Sequence, residues 1–122
     1  MDKRFPEDCL AKGMSLPQIG KLNGWRPLLV PDDHGTMVRM YGAETGFQSG
    51  HITDPCAQLP DLKDSILALI SSEEGDSGAV LVDSQNIVLG FLVGRYTGGE
   101  GNLRVFSPAG HVLDRLGCDD IL

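Results

Sequence analysis

The sequence has 122 residues, which is enough for one domain with a hydrophobic core of its own. Seventeen Asp and Glu against ten Lys and Arg give a formal charge of −7, which argues against binding nucleic acid or an anionic membrane surface. No apolar run approaches the ~20 residues of a membrane-spanning helix. Sixteen Gly and seven Pro favour short strands and tight turns over a helix bundle.

The N-terminal residues and the cysteines indicate the cellular compartment in which the protein is expected. The first 13 residues are charged and contain no apolar stretch typical of a secretory signal. The three cysteines, Cys9, Cys56 and Cys118, are an odd number and form no CxxC pair, which suits free thiols in a reducing compartment. We therefore predict a soluble, intracellular protein.

The first half of the chain is interpreted as a leader followed by the first strands. Residues 1–35 are interrupted by Gly and Pro and are interpreted as a leader or linker, anchored to the core by Trp25. Residues 31–35 have turn chemistry. A strand is predicted over 36–41, then a glycine-punctuated loop over 42–50 and a strand over 51–53. Asp54-Pro55 and Leu59-Pro60 are expected to break the chain again.

The second half gives clearer strand patterns. Residues 61–72 are ambiguous, since so short an apolar run suits either a helix or a buried strand. Residues 79–82 and 87–93 predict two strands of a hairpin joined by a turn. A loop over 96–102, a last strand over 103–106 and a short helix over 111–116 complete the chain. Because strands dominate, the sequence predicts an all-β antiparallel barrel or sandwich with a C-terminal helical turn.

The tetrapeptide Gly75-Asp76-Ser77-Gly78 is the feature that points to chemistry. Taken alone, these turn-forming residues between two strands could be only a turn. The hairpin that follows changes this interpretation, because it can support the turn rigidly. A nucleophilic Ser must project into a cleft from such a turn, and flanking glycines let backbone N–H groups converge on one point as an oxyanion hole.

At these residues the sequence resembles the chymotrypsin/trypsin-like serine proteases. The segment 75–94 is similar to the family's GDSG-strand-turn-strand block. Residues 38–50 resemble the family's strand followed by Gly-x-x-Thr-Gly and a further Gly, and residues 104–117 resemble its last strand and C-terminal helix. The resemblance covers roughly residues 36–117 and implies the second β-barrel of the family's double barrel, in a domain predicted over 36–122.

The resemblance also implies roles for individual residues. Ser77 corresponds to the nucleophile, and the amides of Gly75 and Ser77 correspond to the oxyanion hole. Asp76 and Gly78 correspond to the residues on either side of the nucleophile in the motif. The positions implied for substrate binding are Leu92, Val93 and Gly94, where the family pairs an edge strand with the substrate, and Ser71 at the floor of the specificity pocket. An uncharged floor gives no reason to expect cleavage after Lys or Arg. Ala79 and Leu92 depart from the family's usual residues.

The largest departure is that the family's catalytic His and Asp come from a first barrel, and nothing before residue 36 resembles their motifs. A Ser hydroxyl is a poor nucleophile without an adjacent base. His34, after two aspartates, could be a replacement base or part of a metal site, but a turn is the preferred interpretation; His51 and His111 are interpreted as strand and helix-surface residues. We expect no metal and no cofactor.

Three functional readings follow. The favoured one is a serine endopeptidase part that acts on protein or peptide substrates, with His and Asp supplied by a first barrel on a separate chain or a removed segment. The alternative is a catalytically inactive module that binds a peptide by strand addition along the former substrate groove. A β-rich interaction domain with a coincidental GDSG is the third.

Overall fold

The computed structural model describes residues 15–60, 62–73, 76–96 and 103–116, and for 113–116 only the backbone. The described strands are Ser15–Leu16 (β1), Gly20–Lys21 (β2), Gly24–Trp25 (β3), Met37–Gly42 (β4), Gly46–Ala57 (β5), Ser65–Leu69 (β6), Val80–Val82 (β7), Ile87–Arg95 (β8) and Leu103–Pro108 (β9). A 3₁₀ turn spans Pro31–Asp33, and a helix, α1, spans Ala109–Leu116. Among these residues no helix is long and apolar enough to cross a bilayer.

Six antiparallel strands form a closed barrel. Their order around the barrel is β4-β5-β6-β9-β8-β7, and β7 pairs with β4 to complete the circle. The short strand β3 joins the sheet from outside the barrel and runs parallel to the start of β8. This architecture confirms the predicted all-β antiparallel barrel with a short C-terminal helix.

Alternating side chains of the barrel strands fill its interior. Val38 and Met40 in β4, Ile66 and Ala68 in β6, and Phe106 in β9 are completely buried in one cluster. Side chains two residues apart on a strand lie on the same face, so each of these strands contributes a row to the core. The apolar pattern of the sequence thus explains which face of each strand is inside.

The strand β5 corrects two of the predictions. The predicted loop over 42–50 is only a tight turn at 43–45, because β4 and β5 pair from Met37↔His51 to Gly42↔Gly46. Asp54-Pro55 does not end the strand, which continues to Ala57. The register of β5 on β6 shifts on both sides of Asp54, and such irregular pairing accommodates a proline that has no N–H to donate.

The ambiguous apolar run near residue 66 is a strand, since Ser65–Leu69 pairs with β5 on one side and with β9 on the other. Pairing with β5, the preceding strand, and with β9, near the C-terminal end of the described chain, decides this. The apolar pattern of five residues alone cannot distinguish a strand from a helix.

The described residues before β4, which begin at residue 15, include side chains that pack on the barrel. Trp25 is 3% exposed and contacts a cluster that includes Val82 and Val88, so its predicted anchoring role is confirmed. The Arg26 guanidinium and the Asp33 carboxylate form two hydrogen bonds of 2.8 and 2.9 Å. The boundary between a leader and a barrel domain at residue 35 stays a prediction.

Candidate functional site

A four-residue turn presents Ser77 at the entrance to β7. The N–H of Ala79 donates to the carbonyl of Asp76 (2.9 Å), and the N–H of Gly78 donates to the carbonyl of Leu92 (2.9 Å). The N–H of Leu92 in turn donates to the carbonyl of Ala79 (2.9 Å). Gly78 has φ of +89°, a conformation that glycine adopts without strain. These bonds hold the turn against β8 and leave Ser77 exposed.

Asp76 fixes the other side of this turn. It is 1% exposed, and its carboxylate accepts hydrogen bonds from the Glu73 N–H (2.9 Å), the Glu44 N–H (2.7 Å), the Thr45 N–H (3.2 Å) and the Thr45 hydroxyl (2.8 Å). Burial raises the pKa of Asp76, but these bonds to the charged form lower it more, so the net pKa lies below its ordinary value of 3.8. The carboxylate therefore remains charged at neutral pH and ties residues 44–45 to the Ser77 turn.

Gly42 makes this arrangement possible. A Cβ at position 42 would overlap the carboxylate of Asp76, so only glycine allows the acid to approach the end of β4. The sequence Gly42-Ala43-Glu44-Thr45 thus supplies both the space for the carboxylate and three of its four donors.

A cavity of about 1050 Å³ opens beside Ser77. The structure brings four of the predicted site residues to its lining, namely Ser71, Ser77, Leu92 and Gly94. Asp76 and Gly78 support the turn, and Val93 is 43% exposed on β8 without lining the cavity. Gly75, the second predicted oxyanion donor, lies outside the described residues. Among those that are described, no carbonyl accepts from the N–H of Ser77.

Sequence reasoning did not assign several polar side chains of the same cavity to the site, and it interpreted Glu73 as part of a solvated loop. These lining residues are Glu44, Thr45, Gln48, Ser72, Glu73, Arg95 and Arg104. Arg104 is 5% exposed, and its Nε donates to the Ser72 hydroxyl at 2.6 Å. The signal for Arg104 was a charged residue within a mostly apolar strand, and buried charged residues are unusual.

None of the three histidines of the chain lines this cavity. His34 follows the 3₁₀ turn, and the carboxylate of its neighbour Asp33 is bound by Arg26. His51 lies in β5, and the His111 Nε2 is 3.4 Å from an Asp64 carboxylate oxygen. Within the described parts of the chain, no three His, Cys, Asp or Glu side chains cluster in a way that could hold a metal ion. The described histidines thus place no general base next to Ser77.

The arrangement of strands matches known structures. The chymotrypsin of Cellulomonas bogoriensis superposes with a TM-score of 0.61 at 25% sequence identity, over 82% of this chain and 56% of that chain. The described chain is a chymotrypsin-like barrel. Thermobifida fusca Protease A gives a TM-score of 0.64 at 19% identity, over 88% of this chain and 59% of that one. Rv3671c of M. tuberculosis, in an inactive form, gives 0.62 at 21% identity, over 76% and 51%.

The chain matches only part of each of these chymotrypsin-like proteases. The chain spans just over half the length of each of the three structures, consistent with a single barrel. No protein-family model and no curated protein matches the sequence. In these comparisons the similarity to chymotrypsin-like serine proteases is therefore a similarity of fold.

Proposed function

We propose that this chain is the C-terminal barrel of a serine endopeptidase and that Ser77 is its nucleophile. The observation that carries the proposal is the position of Ser77, exposed on a turn that is bonded to β8 and opens into the cavity. A nucleophile must be held in one geometry to react efficiently, and this turn is held from both sides by Leu92 and Asp76. The fold shared with chymotrypsin-like proteases supports the same assignment.

The proposed reaction is acyl transfer from a peptide bond. The Ser77 Oγ attacks the carbonyl carbon, and a histidine takes the hydroxyl proton and returns it to the leaving amine. The N–H groups of Ser77 and Gly75 hold the oxyanion. Water then hydrolyses the ester formed on Ser77. The reaction needs no metal or cofactor.

The proposed peptidase takes its histidine and aspartate from a first barrel outside these 122 residues. The three histidines of this chain lie away from the cavity, so none of them is placed to accept the Ser77 proton. The coverage of about half of each matched protease supports this division. The first barrel is thus the proposed partner, and a polypeptide is the proposed substrate.

The substrate backbone is proposed to lie along β8. Gly94 lines the cavity, and a Cβ built there meets no atom within 4 Å, which leaves room beside the strand. Val93 is exposed next to it. The same open segment also favours the second candidate, a binding module that adds a peptide strand without cleaving it.

A pair of serine variants tests the nucleophile. In the assembled protein with both barrels, Ser77→Ala should lower kcat for hydrolysis of a fluorogenic peptide by at least about 10⁴-fold, because the attacking oxygen is lost. Ser84→Ala is the matched control, since Ser84 is exposed in the turn between β7 and β8 and should leave kcat unchanged. Hydrolysis that survives Ser77→Ala would contradict the proposal, while an assembled protein that binds peptides without cleaving them would favour the binding module.

A further inference from the structure

The turn between β4 and β5 contributes Thr45 to the lining of the cavity that contains Ser77. Gly42 and Gly46 are register partners at the ends of the two strands, so only residues 43–45 connect them. Gly46 has φ of +73°, a conformation that glycine adopts without strain. So short a connection fixes the position of Thr45 relative to both strands.

Thr45 bonds both oxygens of the buried Asp76 carboxylate. Oδ1 accepts from the N–H of Glu44 (2.7 Å) and the N–H of Thr45 (3.2 Å). Oδ2 accepts from the Thr45 hydroxyl (2.8 Å) and the N–H of Glu73 (2.9 Å). An ionised carboxylate has about four acceptor positions, so these four donors use all of them.

The Thr45 hydroxyl is the donor of this set that depends on the identity of a side chain. The other three donors are backbone N–H groups, which any residue other than proline supplies. Hydrogen bonds to a charged acceptor are stronger than neutral ones, and Asp76 is 1% exposed, so water does not replace a lost donor easily. A change at Thr45 therefore acts directly on the position of the carboxylate.

Asp76 transmits this anchoring to Ser77. The N–H of Asp76 donates to the Glu73 carbonyl at 3.1 Å, and its carbonyl accepts from the Ala79 N–H at 2.9 Å. Because the aspartate side chain is short, holding both carboxylate oxygens also fixes its Cα, and Ser77 is the next residue along the chain. A carboxylate that shifts relative to the β4–β5 turn therefore carries the exposed Ser77 with it.

We propose that Thr45 is a positioning residue for the nucleophile, and that its hydroxyl, through Asp76, holds the Ser77 Oγ where it attacks the substrate. The inference rests on the proposed peptidase function, because it gives Thr45 a part in the reaction of Ser77. Thr45 acts through Asp76 and not by contact with the reacting atoms. A misplacement of about 1 Å can cost roughly 100-fold in rate, so a small movement of the Ser77 turn is enough to matter.

A pair of Thr45 variants tests the hydroxyl in the assembled protein with both barrels. Thr45→Val removes the hydroxyl and keeps the shape of the side chain, so kcat for a fluorogenic peptide should fall by about 10- to 100-fold. KM should change by less than about threefold, because the cavity keeps its lining. Thr45→Ser keeps the hydroxyl and should restore kcat to within about threefold of the wild type.

Thr53→Val is the matched control for the loss of a threonine hydrogen bond. The Thr53 hydroxyl donates to the Leu67 carbonyl at 3.1 Å, and Thr53 is half-buried in β5 without lining the cavity. Both valine variants should lower the midpoint of thermal unfolding by about 2–4 °C, but Thr53→Val should keep kcat. If Thr45→Val fails to fold by circular dichroism, Thr45→Ala replaces it, because it removes the same hydroxyl and leaves room for relaxation.

NMR measures the positioning without catalysis. In the 122-residue chain, the backbone amide resonance of Ser77 should shift in Thr45→Val and stay near its wild-type position in Thr45→Ser and Thr53→Val. A Ser77 resonance that is unchanged in Thr45→Val overturns the proposal. So does a Thr45→Val protein that raises KM but keeps kcat, since Thr45 would then serve binding only, and so does an equal fall of kcat in Thr53→Val.

The outcomes separate the inference from the proposed function. If hydrolysis survives Ser77→Ala, the peptidase assignment is wrong, and the part of Thr45 in that reaction falls with it. If hydrolysis depends on Ser77 but Thr45→Val keeps the wild-type kcat, only the positioning role of Thr45 is wrong.

Discussion

Asp76 shows how one residue connects the sequence motif to the geometry of the site. The GDSG motif predicted a turn with an acidic residue beside the nucleophile, and the structure buries that carboxylate under four donors from residues 44, 45 and 73. Three of the four come from the turn between β4 and β5, about thirty positions earlier in the chain. The motif predicts the turn itself, but its partners depend on the tertiary fold.

Replacing Asp76 should weaken the protein. Asp76→Asn replaces one carboxylate oxygen by a donor group, which leaves buried N–H or hydroxyl groups unpaired and should lower the free energy of unfolding by about 3 kcal/mol. Urea denaturation at pH 7 measures this loss. The matched control is Asp32→Asn, an exposed carboxylate whose replacement should change the stability by less than about 0.5 kcal/mol. Equal stabilities of Asp76→Asn and the wild type would contradict the account.

The same residue predicts a pH dependence. Because the folded pKa of Asp76 lies below its ordinary value of 3.8, its stabilising contribution is complete above that value and is lost as the pH falls towards the folded pKa. The stability advantage of the wild type over Asp76→Asn should therefore shrink as the pH falls below about 4. Denaturation curves from pH 7 to acid compare the two proteins. An advantage that grows on acidification would show the opposite linkage.

At the scale of the strands, sequence patterns predicted where most strands lie but not how far they extend. The hairpin of β7 and β8 and the last strand β9 were recognisable from apolar and β-branched residues. Pro55 and the glycines of residues 42–50 suggested breaks, yet β5 is the longest described strand. Irregular register near Asp54 accommodates the proline, and such irregularity is set by the neighbouring strand.

The glycine pattern of β5 has a packing reason. A Cβ on Gly50 would overlap the carbonyl oxygen of Leu69 in β6, and backbone cannot move aside as a flexible side chain can. Gly50→Ala should thus force β5 and β6 apart and destabilise the protein by about 3 kcal/mol, measured as a lower midpoint in thermal unfolding. Gly94→Ala is the stability control, because a Cβ there meets nothing within 4 Å. Similar midpoints for the two variants would show that the close approach of β5 and β6 is not rigid.

The sequence predicted the part of the site that the GDSG motif and the following strands determine. Ser71, Ser77, Leu92 and Gly94 line one cavity, while the roles that the resemblance implies for them stay predictions. Arg95 and Arg104 could not be found in this way, because their proximity arises from the β8–β9 register across the barrel. The sequence contains the two arginines, but only closure of the sheet places them opposite each other.

For the molecule as a whole, the central feature is a closed barrel in which no histidine lies at the cavity beside the proposed nucleophile. Six strands pair in a closed ring around a buried apolar core, so each barrel strand has a pairing partner on both sides. The cavity contains the proposed nucleophile, whereas the histidines of the chain lie elsewhere. The proposed second barrel, which would supply the base, is consistent with the coverage of just over half of the matched proteases.

The most direct test of this account is the intact mass of the assembled protein after reaction with a fluorophosphonate probe, followed by peptide mapping. The account predicts one adduct, on Ser77, and none in Ser77→Ala. The 122-residue chain alone should react far more slowly, because none of its histidines lines the cavity beside Ser77. An assembled protein in which Ser77 stays unmodified, or a lone chain that reacts as fast as the assembled one, would contradict the claim that Ser77 is a nucleophile activated from a second barrel.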